Sequence, residues 1–425
     1  MQGQALTFLL ILVLLAADFY ILKGIQAAFA KRAFTHKKWF LMLYWLSAAF
    51  LIAALLMGIY SRLGAGLRTA LLFGFALSFI FKVSFLLIVF IDDIRRWITA
   101  AIRKNKPQTK TETTTDKTGI DAIPRSEFLM KAGLLAGIVP LTAIKLSMKS
   151  GCYDYYVNYV DLYLPNLPKA FDGMRVGQIS DIHSGGFYNK TAVKGGVDML
   201  MKEKAELIFF TGDLVNGGAW EMNDYQDIFS KVKAPLGVYS ILGNHDYGDY
   251  GTWNSLAEKE KNNRDIIQTH KNMGWDILID ENRRLKVDGE EIGLLGIGNW
   301  GEMSRFPKYG KMGKAVINTD DLPVKLLLSH DPSHWRAEVI PKYPQIDAVF
   351  AGHTHGMQFG VRYKEFQWSP IEYVYNEWAG LYREGQQQIY VNVGYGFAGF
   401  KGRVGIMPEI TMFTFRSGVD PNLKA

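Results

Sequence analysis

The sequence has little cysteine, and its acidic residues are unevenly distributed. Cys152 is the single cysteine among 425 residues, so no intrachain disulfide can form and the redox compartment stays open. The first 150 residues contain only 7 Asp and Glu against 19 Lys and Arg, whereas the remainder contains 34 acidic and 29 basic residues. Because the net charge of +7 comes from the apolar N-terminal part, it does not indicate a nucleic-acid partner, and none is expected.

Long apolar runs are plentiful in the first 100 residues. Residues 5–22, 39–60 and 69–91 each have about the length that crosses a bilayer. Three such runs in succession are not typical of buried helices in a soluble protein. Residues 1–100 are therefore predicted to be a transmembrane region with three spans.

A polar segment and a fourth apolar segment follow. Residues 101–127 are rich in Thr and Lys, lack apolar periodicity and are predicted to form a flexible linker. In residues 128–150, Lys131 and Lys145 bracket an apolar core that is short for a span unless both lysines reach the interfaces. This segment is predicted to be either a fourth span or an anchor on the membrane surface.

The distribution of basic residues orients these segments. The stretches after the first and third runs are rich in Lys and Arg, whereas the loop after the second run holds only Arg62 and Arg68. The positive-inside rule places the first and third of these stretches in the cytoplasm and the N-terminus outside. If the fourth segment crosses, residues 151–425 are extracytoplasmic; if it lies on the surface, they are cytoplasmic. Crossing is the favoured interpretation.

From residue 170 onward the pattern changes to short apolar runs that each end in polar residues. "MRVGQIS" precedes "DIHSGG", "AELIFFT" precedes "GDLVNGG", "LGVYSIL" precedes "GNHDYG", "VKLLLS" precedes "HDPSHW" and "IDAVFA" precedes "GHTHGMQ". Such runs, rich in Ile, Val, Leu and Phe, are typical of strands buried on both faces. Ligands bind beyond the carboxyl ends of such strands, so the polar residues predict a functional site.

The residue types at these positions indicate a metal site. Carboxylate, amide oxygen and imidazole together suit divalent Mn, Fe or Zn better than calcium or a thiolate zinc site. Seven such residues exceed what one tetrahedral ion takes, so two ions that share a carboxylate are predicted, and such a pair can hold a bridging hydroxide. The seven candidate ligands are Asp181, His183, Asp213, Asn244, His330, His353 and His355.

The ordered set D-x-H, G-D, G-N-H-D, H and G-H-x-H resembles the calcineurin-like metallophosphoesterase superfamily, in its bacterial membrane-attached branch, over about residues 170–415. The resemblance implies N-terminal transmembrane helices followed by an α/β metallophosphoesterase domain over residues 151–425, built as a four-layer α/β/β/α sandwich. It implies that Asp181, His183 and His355 bind one ion, and that Asn244, His330 and His353 bind the other. Asp213 would bridge both ions. His245 would act as general acid or stabilise the transition state, Asp246 would orient it, and His334 would lie outside the ligand set.

Departures from the family pattern narrow the function. In "GDLVNGG", Asn216 and Gly217 replace the Asp and Arg of protein phosphatases, and Val393 stands where many relatives carry an Arg before a late Gly-x-Gly. The favoured hypothesis is a membrane-bound phosphoesterase that acts on a phosphodiester or phosphomonoester at a bacterial plasma membrane, with a lipid headgroup as one candidate substrate. The alternatives are a cytoplasmic-face pyrophosphatase of a nucleotide-linked glycolipid precursor and a non-catalytic metal-binding membrane protein.

Two further segments allow structural predictions. "CYDYYVNYVDLYLP" (152–165) holds five tyrosines and either rests on the bilayer surface or forms a strand with alternating tyrosines. Within the membrane region, Lys82 lies in the third span and Asp18 near the end of the first. A lysine inside a bilayer is unfavourable by up to about 2.5–3.5 kcal/mol. The two residues are therefore predicted to pair, with snorkelling of Lys82 to local water as the alternative.

Overall fold

The computed structural model describes residues 2–29, 32–60, 65–104, 131–139, 141–142, 145, 151–363 and 366–421. The chain divides into two compact units, Met1–Lys145 and Leu146–Ala425. They are described separately below as the membrane unit and the catalytic-type unit.

The membrane unit contains three long helices. They are α1 (Gln2–Ala28), α2 (Lys38–Tyr60) and α3 (Ala65–Lys104). By length and composition, Thr7–Gln26, Lys38–Tyr60 and Gly74–Arg95 are able to cross a membrane, which confirms the three predicted apolar helices. The end of α3 takes up the first residues of the predicted linker, and residues 105–127 of that linker lie outside the described residues.

The fourth apolar segment is helical over residues 131–139 and packs on α3. A Cβ atom added to Gly137 would lie 2.6 Å from the ring of Phe81, and one added to Gly133 would lie 3.1 Å from the ring of Phe85. Glycines four residues apart allow close helix approach in membranes. Since position 133 matches 85 and position 137 matches 81, this helix runs antiparallel to α3.

The predicted pair inside the membrane unit is confirmed. The Lys82 ammonium lies 2.8 Å from Oδ1 and 2.9 Å from Oδ2 of Asp18, whose side chain is buried. The Tyr44 hydroxyl of α2 donates to the main-chain oxygen of Asp18 at 2.7 Å. The three long helices thus meet at one polar cluster. Lys82 is paired with Asp18 and does not need to reach water at the membrane surface.

Exchanging the two charges tests whether this pair is needed for assembly. Asp18→Lys or Lys82→Asp alone should lower the yield of membrane-inserted protein, because each leaves two like charges facing each other in a site that excludes water. The double exchange should recover most of the yield, measured by quantitative blotting of washed membranes. Lys23→Asp, which changes an exposed lysine of α1, serves as a control. A double variant no better than the worse single variant would contradict the pairing.

The catalytic-type unit is built around two six-stranded sheets. Sheet I has the order β1-β14-β2-β3-β4-β5, sheet II has the order β12-β13-β9-β8-β7-β6, and β10 and β11 form a separate hairpin. The strands of sheet I are β1 (Tyr156–Leu164), β2 (Arg175–Ile179), β3 (Leu207–Phe210), β4 (Val238–Ser240), β5 (Asp276–Ile277) and β14 (Glu409–Ser417). Those of sheet II and the hairpin are β6 (Glu281–Val287), β7 (Glu290–Gly296), β8 (Lys325–Leu328), β9 (Ala348–Ala351), β10 (Val361–Tyr363), β11 (Phe366–Trp368), β12 (Gly380–Glu384) and β13 (Gln387–Val391).

Helices cover the outer faces of both sheets. They are α4 (Lys190–Lys202), α5 (Gln226–Phe229), α6 (Leu256–Asn272), α7 (Met312–Ala315) and α8 (Ile340–Lys342). Alternate residues of β3 show the layering: Leu207 and Phe209 pack between the sheets, whereas Ile208 and Phe210 pack toward α4 and α6. Strands buried on both faces explain the continuous apolar runs, and the predicted four-layer α/β/β/α sandwich is confirmed.

The tyrosine-rich segment forms a strand and does not provide a free aromatic surface. Its residues form β1, which pairs in parallel with β14. Tyr155 is buried, and the hydroxyl of Tyr156 donates to Glu409 at 2.7 Å. The hydroxyl of Tyr153 accepts from the N–H groups of Tyr188 and Asn189. The interpretation as a strand is therefore confirmed, whereas contact of the exposed Tyr159 with a bilayer stays a prediction.

Candidate metal centre

The seven predicted ligands lie in loops that follow five parallel strands, three in sheet I and two in sheet II. Parallel strands of one sheet end at the same edge, so these loops meet. Sheet I supplies Asp181 and His183 after β2, Asp213 after β3 and Asn244 after β4, and sheet II supplies His330 after β8 and both His353 and His355 after β9.

The backbone of these loops turns sharply at the predicted ligands. Five of them have φ between 47° and 74°: Asp181, His183, Asp213, His353 and His355. Non-glycine residues seldom adopt this left-handed region, and Asp and His are among those that do so most readily. Strained residues of this kind cluster at functional sites. The turns direct consecutive side chains toward a common point.

The first ligand group is Asp181, His183 and His355, whose ligand atoms all lie within 4.8 Å of one another. Nε2 of His355 is 3.2 Å from Oδ1 of Asp181. The second group is Asp213, His330 and His353, within the same limit. In it, Nδ1 of His353 lies 3.3 Å from Nε2 of His330 and 2.8 Å from Oδ1 of Asn244. A further group within the same limit is His183, Asp213 and His245. The structure thus brings the predicted ligands together, and their division between two ions stays a prediction.

Asp213 joins the two groups through a single oxygen. Its Oδ2 atom is 3.4 Å from Nε2 of His183 and 3.2 Å from Nε2 of His330. Its other oxygen, Oδ1, accepts from the N–H group of His245 at 2.8 Å, which fixes the carboxylate plane. The structure therefore brings the predicted bridging residue between the two sets, although its role as a bridge stays a prediction.

The residues present fit divalent metal ions. Nε2 of His183 and Nε2 of His355 are buried and have no hydrogen-bond partner within the described part of the chain, whereas buried polar atoms are normally satisfied. Burial lowers the pKa of His355 to about 4, so its imidazole is neutral, as a ligand must be. Burial opposes the charged form of His330, but the Asp213 and Asp181 carboxylates raise its pKa to about 10. These carboxylates attract positive charge, which a divalent ion would supply.

Three residues outside the predicted set support the ligands from behind. Oδ2 of Asp331 lies 3.5 Å from Nε2 of His353, and the Tyr375 hydroxyl lies 2.8 Å from the same nitrogen. The buried Arg403 guanidinium lies 3.2 Å from Nδ1 of His355 and donates to the carbonyl oxygens of Val393, Gly394 and Gly396. Asp331 and Tyr375 can accept the second ring N–H of a ligating His353, whereas the Arg403 guanidinium can only donate. Of these three residues, only Asp331 could have been recognised from the sequence, because it directly follows His330 in "SHDP".

His245 borders the ligand groups and is followed in the chain by Asp246. Nδ1 of His245 lies 2.7 Å from the main-chain oxygen of Asn216, and its ring stacks on Tyr250 with centroids 4.2 Å apart. Burial lowers the pKa of His245. The carboxylate of Asp246 instead accepts from four main-chain N–H groups, those of Asp213, Leu214, Val215 and Gly243. It thereby holds two ligand loops together, and these contacts lie on the main chain and not on the His245 ring.

The remaining predicted residues lie away from the ligand groups. His334 is buried, its Nδ1 lies 2.9 Å from the Ser329 hydroxyl, and its ring packs on Trp300. It is a core residue outside the ligand groups, as expected. Val393 is buried in an apolar cluster and gives no polar contact to a ligand. A phosphate contact must then come from another loop.

A cavity of about 340 Å³ opens above the ligands. His245, Tyr250, Phe306, Ile371 and Tyr375 line it together with Arg305. Within the described residues, Arg305 is the only Lys or Arg that lines this cavity, and its side chain interacts with the Tyr375 hydroxyl. An exposed guanidinium above two candidate metal sites suits an anionic substrate.

Comparison with known proteins agrees with this geometry. Residues 4–152 match the family model described as probable calcineurin-like phosphoesterase, transmembrane domain, and residues 174–357 match the model described as calcineurin-like phosphoesterase.

Among curated proteins, the uncharacterized metallophosphoesterase YkuE of Bacillus subtilis is 29% identical over 259 residues, which are 59% of this chain and 82% of that protein. A zebrafish (Danio rerio) transmembrane protein with metallophosphoesterase domain is 29% identical over 266 residues, which are 59% of this chain and 56% of that protein. UDP-2,3-diacylglucosamine pyrophosphatase LpxG of Chlamydia trachomatis is 24% identical over 282 residues, which are 54% of this chain and 81% of that protein.

Proposed function

We propose that this chain, which belongs to the calcineurin-like metallophosphoesterases, hydrolyses a phosphodiester or phosphomonoester at a dinuclear centre. It is a metal-dependent phosphoric ester hydrolase of a membrane. We place the dinuclear centre on the extracytoplasmic side of a bacterial plasma membrane. The observation that carries the dinuclear proposal is the single Asp213 oxygen that lies within 3.4 Å of one histidine from each ligand group. No predicted ligand position lacks a ligand-type side chain, so a non-catalytic role has no support.

The proposed roles follow the two groups. Asp181, His183 and His355 would hold one ion, Asn244, His330 and His353 the other, and Asp213 both. When bound, two such ions supply Lewis-acid activation of water and of the phosphoryl oxygens. His245 lines the cavity and has its Nδ1 committed to Asn216, so its Nε2 is the atom proposed to meet the leaving group.

The packing of the fourth apolar segment supports the extracytoplasmic side. Gly133 and Gly137 pack against Phe85 and Phe81, which lie well inside the span Gly74–Arg95. A helix at that depth and antiparallel to α3 fits a crossing segment, and the name of the matched transmembrane family model counts four spans. With the basic residues before this segment kept in the cytoplasm, the catalytic-type unit falls outside.

Thiol labelling in intact cells tests the side. Cys152 is buried and is unsuited to this purpose, whereas Leu256 is 72% exposed. Leu256→Cys should react with a membrane-impermeant maleimide before lysis. Phe34→Cys, in the first basic loop, should react only after lysis, and the unsubstituted chain provides the background. If both positions react only after lysis, the catalytic-type unit is cytoplasmic.

That outcome would favour the second candidate function. A relative of 24% identity is named as a pyrophosphatase of UDP-2,3-diacylglucosamine, and a cytoplasmic active site would suit a nucleotide-linked glycolipid precursor. Release of a nucleoside monophosphate from such a precursor, with no hydrolysis of lipid phosphodiesters, would then be expected.

Arg305 is proposed to supply the phosphate contact that Val393 does not. Arg305→Ala should lower kcat/KM for an aryl phosphodiester by about 10–100-fold, since hydrogen bonds to charged groups contribute about 1.5–3 kcal/mol. Initial rates at saturating and limiting substrate measure the change, and Arg305→Lys should restore part of it.

The matched control is Lys308→Ala on the same loop. Lys308 pairs with Glu302 and lies 4.0 Å from the centre of the Trp300 ring, outside the cavity lining. Its loss should leave kcat/KM within about two-fold, because exposed ion pairs contribute little. Equal losses in the two variants would point to a general disturbance of the loop and against a phosphate contact by Arg305.

A further inference from the structure

We propose that an exposed apolar surface beside the cavity contacts the lipid bilayer in which this chain is anchored, so that the enzyme takes phosphate esters presented at the lipid surface. This inference rests on the proposed function and specifies its substrate class. The surface, called the apolar rim, consists of Met357, Phe359, Val361, Phe366, Tyr373 and Val374.

The segment that leads into the hairpin of β10 and β11 alternates exposed apolar residues with buried ones, and the hairpin itself carries Val361 and Phe366 of the rim. Met357, Phe359 and Val361 follow one another at every second position and are exposed, whereas the intervening Gln358 and Gly360 are buried. Met357 and Gln358 have φ of 54° and 55°, so the backbone is not extended there and the exposure of Met357 is set by the turn. In an ordinary half-buried strand the apolar face would be the buried one.

The inward positions of this segment are polar and satisfied. Gln358 donates to the carbonyl oxygens of Phe400 and Gly402, Arg362 pairs with Glu409 at 2.7 Å, and Gln367 donates to the carbonyl oxygen of Ala379. Because these contacts fix the segment, the apolar side chains are held outward. The outward direction is thus built into the fold and does not result from a loose loop.

The exposure of the rim is large for apolar side chains. Its six residues are between 41% and 77% exposed. Single exposed apolar residues are common on soluble proteins, but clusters of them mark interaction surfaces. Ser369, at the start of the turn that carries Tyr373 and Val374, donates to the main-chain oxygen of Gly356 at 2.8 Å, which joins both parts of the rim.

The rim adjoins the mouth of the cavity. Met357 lies two residues after the predicted ligand His355, and Tyr373 and Val374 lie between Ile371 and Tyr375, which both line the cavity. A lipid whose acyl chains stayed among the rim residues would have its headgroup phosphate within reach of the cavity.

The chain carries helices that are able to cross a membrane, so the bilayer is the occupant that we propose for the rim. Tyr153 packs against Tyr188 and Phe397, with ring centroids 5.1 and 6.0 Å apart. Ala398, the next residue, lines the cavity, and its N–H donates to the Gln358 side chain between two rim residues. The loop at 397–402 thus contacts Tyr153, the cavity and the rim.

Lipid quenching of a fluorophore on the rim tests the contact directly. The full chain with Phe366→Cys, labelled with an environment-sensitive nitrobenzoxadiazole thiol reagent, is placed in phosphatidylcholine nanodiscs that hold one chain each. We expect a blue-shifted emission and quenching by spin-labelled lipid. Leu256→Cys, also an exposed apolar position, should show neither effect.

Two results would overturn the proposal. One is equal emission and equal lipid quenching at positions 366 and 256. The other is a blue shift at position 366 without quenching by spin-labelled lipid, which would assign the rim to a contact with protein. A blue shift that is absent from single-chain discs would assign the rim to a second copy of the chain. Because this readout needs no turnover, it fails independently of the proposed hydrolysis.

A kinetic comparison tests the consequence for substrate choice. The full-length double variant Val361→Asp with Phe366→Asp should hydrolyse a soluble aryl phosphodiester within about two-fold of the normal rate. Its rate on a phosphodiester lipid in mixed vesicles should fall at least ten-fold. Equal rates of the double variant and the normal chain on the vesicle substrate would refute a role of the rim. Loss of both activities together with lost ion binding would indicate misfolding of the ligand loops. In that case the milder variant Val361→Ser would replace the double variant in the same comparison.

Discussion

Replacement of Asp213 by Asn is expected to lower the rate of phosphodiester hydrolysis by more than about 100-fold. Loss of a residue that only supports a metal ligand lowers activity by roughly 10–100-fold, and a shared ligand should matter more. One oxygen of Asp213 approaches a histidine of each ligand group. The neutral amide has nearly the same shape but lacks the charge that would hold two cations together. Initial rates with added Mn²⁺ and metal content by mass spectrometry measure the effect, and a chelator should remove the activity of the normal chain.

The matched control is Asp224→Asn, which removes a charge from an exposed carboxylate paired with Lys190. It should retain activity and ion content. If Asp213→Asn kept full activity with unchanged metal content, Asp213 would not be the bridge, and the two groups would have to bind their ions separately.

His245→Ala is expected to slow the release of poor leaving groups by roughly 10²–10⁴-fold, the usual range for general acid catalysis. The effect on nitrophenolate, which needs little protonation, should be far smaller. The reason lies in the geometry: Asn216 holds Nδ1 of His245, and the ring borders the cavity. Rates for a series of esters that differ only in leaving-group pKa give the dependence directly.

Tyr250→Phe is the control for this leaving-group test. It keeps the ring that stacks on His245 but removes the hydroxyl that accepts from the Asn244 side chain at 2.9 Å. Any loss it causes should be equal for good and poor leaving groups. Equal losses for both classes in His245→Ala would assign His245 to charge stabilisation or phosphate positioning in place of proton donation.

The sequence allows residues that the fold brings together to be recognised, because each lies directly after an apolar run. Each apolar run ends in residues such as Asp181 or Asn244, and the parallel-sheet rule is enough to bring such ends together. The supporting residues could not be found in this way. Tyr375 and Arg305 come from loops without a motif, and only the folded chain places them near His353 and the cavity.

The direction in which a side chain points is not revealed by the sequence. Asp246 stands next to His245 in the chain, but its carboxylate turns to the main chain of the neighbouring loop. The tyrosines of residues 152–165 could belong to a surface segment, but Tyr155, directly before β1, lies in the core. Conversely, the period-two pattern of Met357, Phe359 and Val361 gives no sign that its apolar face points outward. Periodicity identifies a face, and only packing decides which face is buried.

The division of the ligands between the two sheets has a thermodynamic consequence. One group combines Asp181 and His183 from sheet I with His355 from sheet II, and the other combines Asp213 and Asn244 with His330 and His353. An ion bound by either group would cross-link the two halves of the sandwich, and a ligand that binds only the folded state stabilises it by about 2.7 kcal/mol at a hundred times its dissociation constant. The melting temperature should therefore rise with the free ion concentration. The ions would then stabilise the contact between the two sheets in addition to taking part in hydrolysis.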